Sequence, residues 1–141
     1  LGDVYKRQNN RCAADYPFLS IERINTKSVN TGGRLKRMIR FLKNIKADSK
    51  QKIDLSSFDI NAICYNIDID AYKDLHYLYL VTIVFLQLHK IAYDESYANS
   101  ITSVDGKEYI FRGNNKRREV ATMLQNVSTI YSILKEQHLI I

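Results

Sequence analysis

The 141-residue sequence has no tryptophan, one proline, five glycines and two cysteines. Cys12 and Cys64 are too few for a disulfide framework or a four-ligand metal site. Such sparing use of thiols reads as a chain from a reducing cytoplasm. The longest apolar stretch, Tyr77 to Leu88, includes Thr82 and Gln87 and is too short to cross a bilayer, so no membrane partner is expected. No stretch near the start combines a basic segment with an apolar run of the signal-peptide kind. A Gly-rich phosphate loop, a Gly-x-Ser-x-Gly elbow and a His-Glu-x-x-His pattern are all missing. His76, His89 and His138 are scattered at spacings poor for a metal, and Cys64 has no ligand partner nearby. Neither a metal site nor a catalytic residue is expected within this sequence.

What is present suits one folded domain with a real core: 45% apolar and 26% charged residues. Lys and Arg total 21 against 15 Asp and Glu, for a formal charge of +6. The excess is local. Arg34 to Lys52 holds eight basic residues and one acid, while the rest of the chain holds 13 basic and 14 acidic residues. A field of that kind attracts polyanions, although a solvated helix face would carry the same charges. A smaller cluster, Arg112, Lys116, Arg117 and Arg118, falls at the start of the last predicted helix. Positive charge there opposes the helix dipole unless an anion is near.

Leu1 to Gln8 resembles a translated sequencing-adapter scar and is set aside from the fold. Residues 9–33 lack a clean period, and Tyr16-Pro17-Phe18 reads as a turn, so an irregular linker is expected there. Residues 25–33 read as a polar loop, in which Thr31 could cap the helix that follows. Leu35, Met38, Ile39, Leu42 and Ile45 predict a helix from about Arg34 to Ala47. Ser56 followed by Asp59 opens a second, and apolar residues nearly all round predict a third over about Tyr72 to Ala92, placed centrally. Asp105-Gly106 between two β-prone runs predicts a hairpin. Val120, Met123, Leu124 and Val127 lie on a last helix over about Arg117 to His138. The expected fold is mainly α: a bundle of four to five helices with one small β-hairpin near residues 101–111, the domain proper being 34–141.

The candidate site pairs the basic helix with Ser56-Ser57. A helix N-terminus presents free N–H groups and partial positive charge, and serine hydroxyls add donors. If the first two helices are antiparallel, Lys43 and Lys46 lie beside that N-terminus and form a cradle for a triphosphate. The serines could equally serve only as caps. Asp68-Ile69-Asp70 imitates a metal-binding carboxylate pair, but no glycine lies between Gly33 and Gly106 to make the turn such a pair needs, and Asp between helices is a common cap.

The runs Arg34 to Lys46 (RLKRMIRFLKNIK) and Leu55 to Tyr65 (LSSFDINAICY) resemble the helical C-terminal region of the DNA-polymerase-β-like nucleotidyltransferases, which include oligoadenylate synthetases, poly(A) polymerases and bacterial cyclic-oligonucleotide synthases. Ile39, Arg40, Leu42 and Lys43 fit the family's helix pattern, and Ser57-Phe58 stands where a Ser-Tyr pair is commoner. The resemblance implies that Lys43 and Ser57 contact nucleotide phosphates, with Arg40, Lys46 and Ser56 in support and Phe58 near the base. It implies a nucleoside triphosphate, ATP by default, as ligand, and Mg²⁺ only in a full-length parent whose catalytic palm lies upstream of these residues. Beside it stands a non-enzymatic reading, in which Arg34–Lys52 binds nucleic acid or an acidic protein.

Overall fold

The structure is a computed structural model, and residues 16–141 are described; the scar-like Leu1–Gln8 and Cys12 lie outside them. Among the described residues six helices run in the order α1 (Tyr16–Asn30), α2 (Arg34–Asp48), α3 (Ser57–Tyr65), α4 (Leu80–Tyr93), α5 (Glu95–Ser100) and α6 (Lys116–Glu136), one or two more than expected. Short 3₁₀ turns occupy Ile69–Ala71 and Tyr77–Tyr79. None of the described helices is long and apolar enough to cross a membrane.

α2 forms as its pattern predicts. Its apolar stripe Leu35, Met38, Ile39, Leu42 and Ile45 is buried throughout, leaving the basic residues for the other face. Gly33 precedes it at φ +83°, a left-handed conformation that costs glycine little. Thr31 assists from further back, its hydroxyl oxygen accepting from the Leu35 N–H at 3.2 Å. α4 packs along α6 and also touches α2, α3 and α5, the central place expected of a helix with apolar residues nearly all round. Its buried Gln87 joins three elements: the amide donates to the Ile63 carbonyl of α3 at 2.9 Å, and its oxygen accepts from the Tyr97 hydroxyl of α5 at 2.9 Å.

α1 corrects the expectation of an irregular linker over 9–33 and a polar loop over 25–33. Pro17 sits in its first turn, where a missing N–H costs nothing. The helix was hidden because, Ile24 apart, much of its inward face is polar. Arg23 donates to the Val104 carbonyl at 2.8 Å, and the Lys27 ammonium donates to the Tyr65 and Ile67 carbonyls, closing the end of α3. Burial lowers the Lys27 pKa, against a smaller opposing pull from Asp68. Phe18, at 71% exposure, and Val29, at 78%, point the other way, so an apolar period is the wrong signal for this helix.

Two further expectations are corrected. The helix predicted from Tyr72 begins only at Leu80, because Tyr72 turns fully into the core from an irregular segment and the His76 Nδ1 accepts from the Leu78 N–H at 3.2 Å to start a 3₁₀ turn instead. The hairpin near 101–111 is absent among the described residues; one isolated antiparallel bridge, Thr102 to Tyr109, stands in its place. Ser103, Val104 and Asp105 are all buried in succession, where the strand of a half-exposed hairpin would alternate between buried and exposed. Asp105 and Ser103 instead tie the loop internally, with both side chains accepting from the Lys107 N–H.

Cys64 is wholly buried on α3, as its apolar neighbours suggest, and burial pushes its thiol from the ordinary 9.0 up to about 12. A raised pKa in the folded state means the unfolded chain releases a proton first. Stability held below pH 9 is therefore lost progressively between pH 9 and 12. In a Cys12→Ala background, iodoacetamide at pH 8 should leave the native chain unlabelled and modify one thiol in denaturant. Rapid native labelling would contradict the burial.

Candidate functional site

α3 begins with a complete capping box. The Ser56 hydroxyl oxygen accepts from the Asp59 N–H at 3.2 Å, and Asp59 Oδ2 accepts from the Ser56 N–H at 3.0 Å. Ser56 is thereby spent as a cap. Ser57 is exposed, and its hydroxyl has no partner among the described residues. Phe58 is half-buried and packs against the core beside the cap.

α2 and α3 pack against each other. The Lys46 ammonium donates to the Leu55 carbonyl at 2.6 Å, directly tying the end of α2 to the approach to α3. Lys46 thus keeps only two of its three N–H groups for any ligand. Lys43 lies about 4.5 Å further back along the α2 axis, exposed and without a hydrogen-bond partner among the described residues.

A groove of about 350 Å³ opens between α1, α2 and α3. Lys36, Arg40 and Lys43 line it from α2, Asn61 from α3, and Ile21, Ile24, Ile39 and Asn25 from α1 and α2. Of the expected site residues it gathers Lys43 and Arg40, whereas Ser56, Ser57, Phe58 and Lys46 lie outside its lining. Ser57 stands one α3 turn before Asn61, about 6 Å along the axis. Lys36 and Asn61 were missed. Lys36 was findable, since 36, 40 and 43 fall at i, i+4 and i+7 on one helical face. Asn61 and the α1 residues required the tertiary packing.

Other cations have settled partners. Arg34 donates to the Leu75 carbonyl at 2.7 Å, and Arg34 and Arg37 lie 4.8 and 3.9 Å from the Tyr77 ring centre, a contact between residues far apart in sequence. Three of the four cations clustered at the start of α6 are likewise engaged within the fold. Arg117 donates to the Ile91 and Ala92 carbonyls at 3.0 and 2.9 Å, closing α4, and Arg112 donates to the Asn99 carbonyl at 2.9 Å, closing α5. Lys116 pairs with Asp59 at 2.9 Å.

Asp68 serves as a cap, accepting from the Asp70 N–H at 3.0 Å. Among the described residues no three of His, Cys, Asp and Glu gather as a metal site would require.

The molecule is thus a helical bundle with a basic groove near a capped helix N-terminus. The sequence profile of the cGAS/DncV-like nucleotidyltransferase C-terminal helical domain matches residues 22–133, and the chain belongs to that family. It is 49% identical over 132 residues to a c-di-GMP synthase of Flavobacteriaceae sp. genome_bin_11, covering 90% of this chain and 36% of that protein. It is 53% identical over 107 residues to a c-di-GMP synthase of Capnocytophaga granulosa, covering 74% of this chain and 30% of that protein. The solved structure of the STING-associated CdnE c-di-GMP synthase from Capnocytophaga granulosa superposes with a TM-score of 0.85 at 52% identity, over 88% of this chain and 41% of that one. The chain thus spans about a third of the length of the curated relatives it matches.

Proposed function

We propose that this domain holds a nucleoside triphosphate for a cyclic-dinucleotide synthase, with the phosphates on the rim made by Lys36, Arg40 and Lys43 and the Ser57 hydroxyl at the adjoining helix start. One observation carries this reading: three cations without partners among the described residues share one groove, next to a helix whose first-turn serine is also unengaged. Lysine ammonium groups and a helix N-terminus favour the same anion for independent reasons, charge and unfilled N–H groups. The similarity to c-di-GMP synthases favours GTP over ATP as the ligand. The reaction of the whole protein would be attack of a ribose hydroxyl on an α-phosphate, with pyrophosphate leaving. These helices would orient the nucleotide and neutralise charge, while the metal-binding carboxylates would come from a catalytic palm. On its own the chain would bind and not turn over.

Calorimetric or NMR titration of the 141-residue chain with GTP tests this. Lys43→Ala should weaken binding about tenfold, as loss of one charge-assisted contact does, and Ser57→Ala several-fold. Unchanged affinity in both variants would refute the proposal. The polyanion reading has less support here, because Arg34, Arg37 and Lys46 of the basic run already have partners within the fold. Its signature would be single-stranded RNA binding with a steep salt slope, beside negligible GTP binding.

A further inference from the structure

We infer that Arg23 and Lys27 are positioning residues of the groove: they hold α1 as its third wall and so set the grip on the nucleoside, without touching the ligand. The inference rests on the phosphate reading of the rim and extends it. The rim cations Lys36, Arg40 and Lys43 all belong to α2, whereas α1 contributes Ile21, Ile24 and Asn25. The α1 side of the groove is therefore uncharged and suits the part of a nucleotide that carries no phosphate. α1 is joined to α2 by Gly32 and Gly33, at φ +63° and +83°. That turn, with the Ser28 hydroxyl accepting from the Lys36 N–H at 3.3 Å, anchors only one end of the helix. Further back Ile24 packs against the apolar core, and the remaining grip is polar. Arg23 donates to the Val104 carbonyl at 2.8 Å, and Lys27 donates to the Tyr65 carbonyl and, at 2.8 Å, to the Ile67 carbonyl. The Lys27 ammonium also lies 4.7 Å from the Tyr65 ring centre. The two cations are four residues apart, on one face of α1, and they grip different segments, the loop after α5 and the end of α3. Burial opposes the charged form of Lys27, so its place there depends on the carbonyls that accept from it. Ile24 and Asn25 lie between the two anchors in the chain, so a swing of α1 about the glycine turn moves the wall directly. Neither anchor lines the groove, and α2 holds its place without them because its own apolar stripe is buried. Loss of an anchor should therefore loosen the nucleoside side and leave the cationic rim unchanged.

The 141-residue chain is titrated with GTP and with inorganic tripolyphosphate, at a temperature where circular dichroism shows each variant folded. Lys27→Met and Arg23→Met remove the donors and keep an apolar stem. Each should weaken GTP binding several-fold and leave tripolyphosphate binding unchanged, whereas a general loosening of the domain would weaken both alike. Lys27→Arg, which keeps donors for both carbonyls, should recover most of the GTP loss. Ile21→Ala trims the wall while leaving both anchors, and should reproduce the pattern of the Met variants. Unchanged GTP affinity in Lys27→Met or Ile21→Ala, equal loss of GTP and tripolyphosphate in Lys27→Met, or no recovery in Lys27→Arg overturns the positioning role. If Lys27→Met does not fold, Arg23→Met is read by the same criteria. Equal binding of GTP and tripolyphosphate by the unmodified chain overturns the role too, while leaving the phosphate site standing. Binding of neither overturns the phosphate site and this inference with it.

Discussion

Leu42→Ala should destabilise the domain by about 3 kcal/mol, and should lower its melting temperature by roughly 10 °C. Leu42 is fully buried in the middle of the α2 stripe, amid the core cluster shared with α3 and α4. Truncating it removes transfer free energy and leaves a void that close-packed neighbours only partly fill. The next residue along, Lys43, faces solvent, so Lys43→Ala should change stability by less than about 0.5 kcal/mol. The two adjacent substitutions therefore separate cleanly: one moves the denaturation midpoint, the other the GTP isotherm. Chemical denaturation monitored by circular dichroism measures the first. A cost below about 1 kcal/mol for Leu42→Ala would mean that α2 does not bury this face.

That separation also marks what could be read before the fold was in view. α2 was legible to within a residue because a single period sorts its apolar and basic residues onto opposite faces, and both faces keep that assignment in the structure. α3 was legible through its cap: Ser56 and Asp59 state the start of a helix locally, with no need of tertiary contacts. α1 was opaque for the converse reason. Its inward residues include Arg23, Lys27 and Ser28, whose polar atoms reach carbonyls or N–H groups of other segments, and such pairings leave no trace in a hydrophobic pattern. Asp105-Gly106 misled because the turn signal is local and true, Gly106 having φ +77°, while strand formation depends on alternating burial that the flanking residues do not show. The site divides the same way. Lys43 and Arg40 come from the legible helix, whereas the wall supplied by Ile21 and Ile24 comes from the opaque one. Arg112 and Arg117, suggestive as an anion site in sequence, prove to close helix ends that sequence could not place beside them.

Asp59→Ala should cost about 3 kcal/mol and should also weaken GTP binding, although Asp59 does not line the groove. The carboxylate is 2% exposed and serves two elements at once. Oδ2 accepts from the Ser56 N–H and completes the cap of α3, worth about 1 kcal/mol, while Oδ1 accepts from the Lys116 ammonium of α6 at 2.9 Å. Removing one partner of a buried ion pair usually costs about 3–5 kcal/mol, but the Lys116 side chain is 36% exposed and can turn to water, which brings the pair's share below that range. The reverse change should be nearly as costly: Lys116→Ala leaves the charge on the buried member, where water reaches it poorly. A double-mutant cycle should therefore return a coupling of about 1–2 kcal/mol between positions 59 and 116. The functional consequence follows from geometry. Without the box, the first turn of α3 frays, and on the proposed reading Ser57 and the free N–H groups lose the fixed direction that a phosphate needs. GTP affinity in Asp59→Ala should fall several-fold at a temperature where the variant remains folded, and Asp59→Asn, which keeps an oxygen for the Ser56 N–H, should recover most of that loss while still lacking the ion pair. If Asp59→Asn binds as poorly as Asp59→Ala, the ion pair to α6 rather than the cap orients the site.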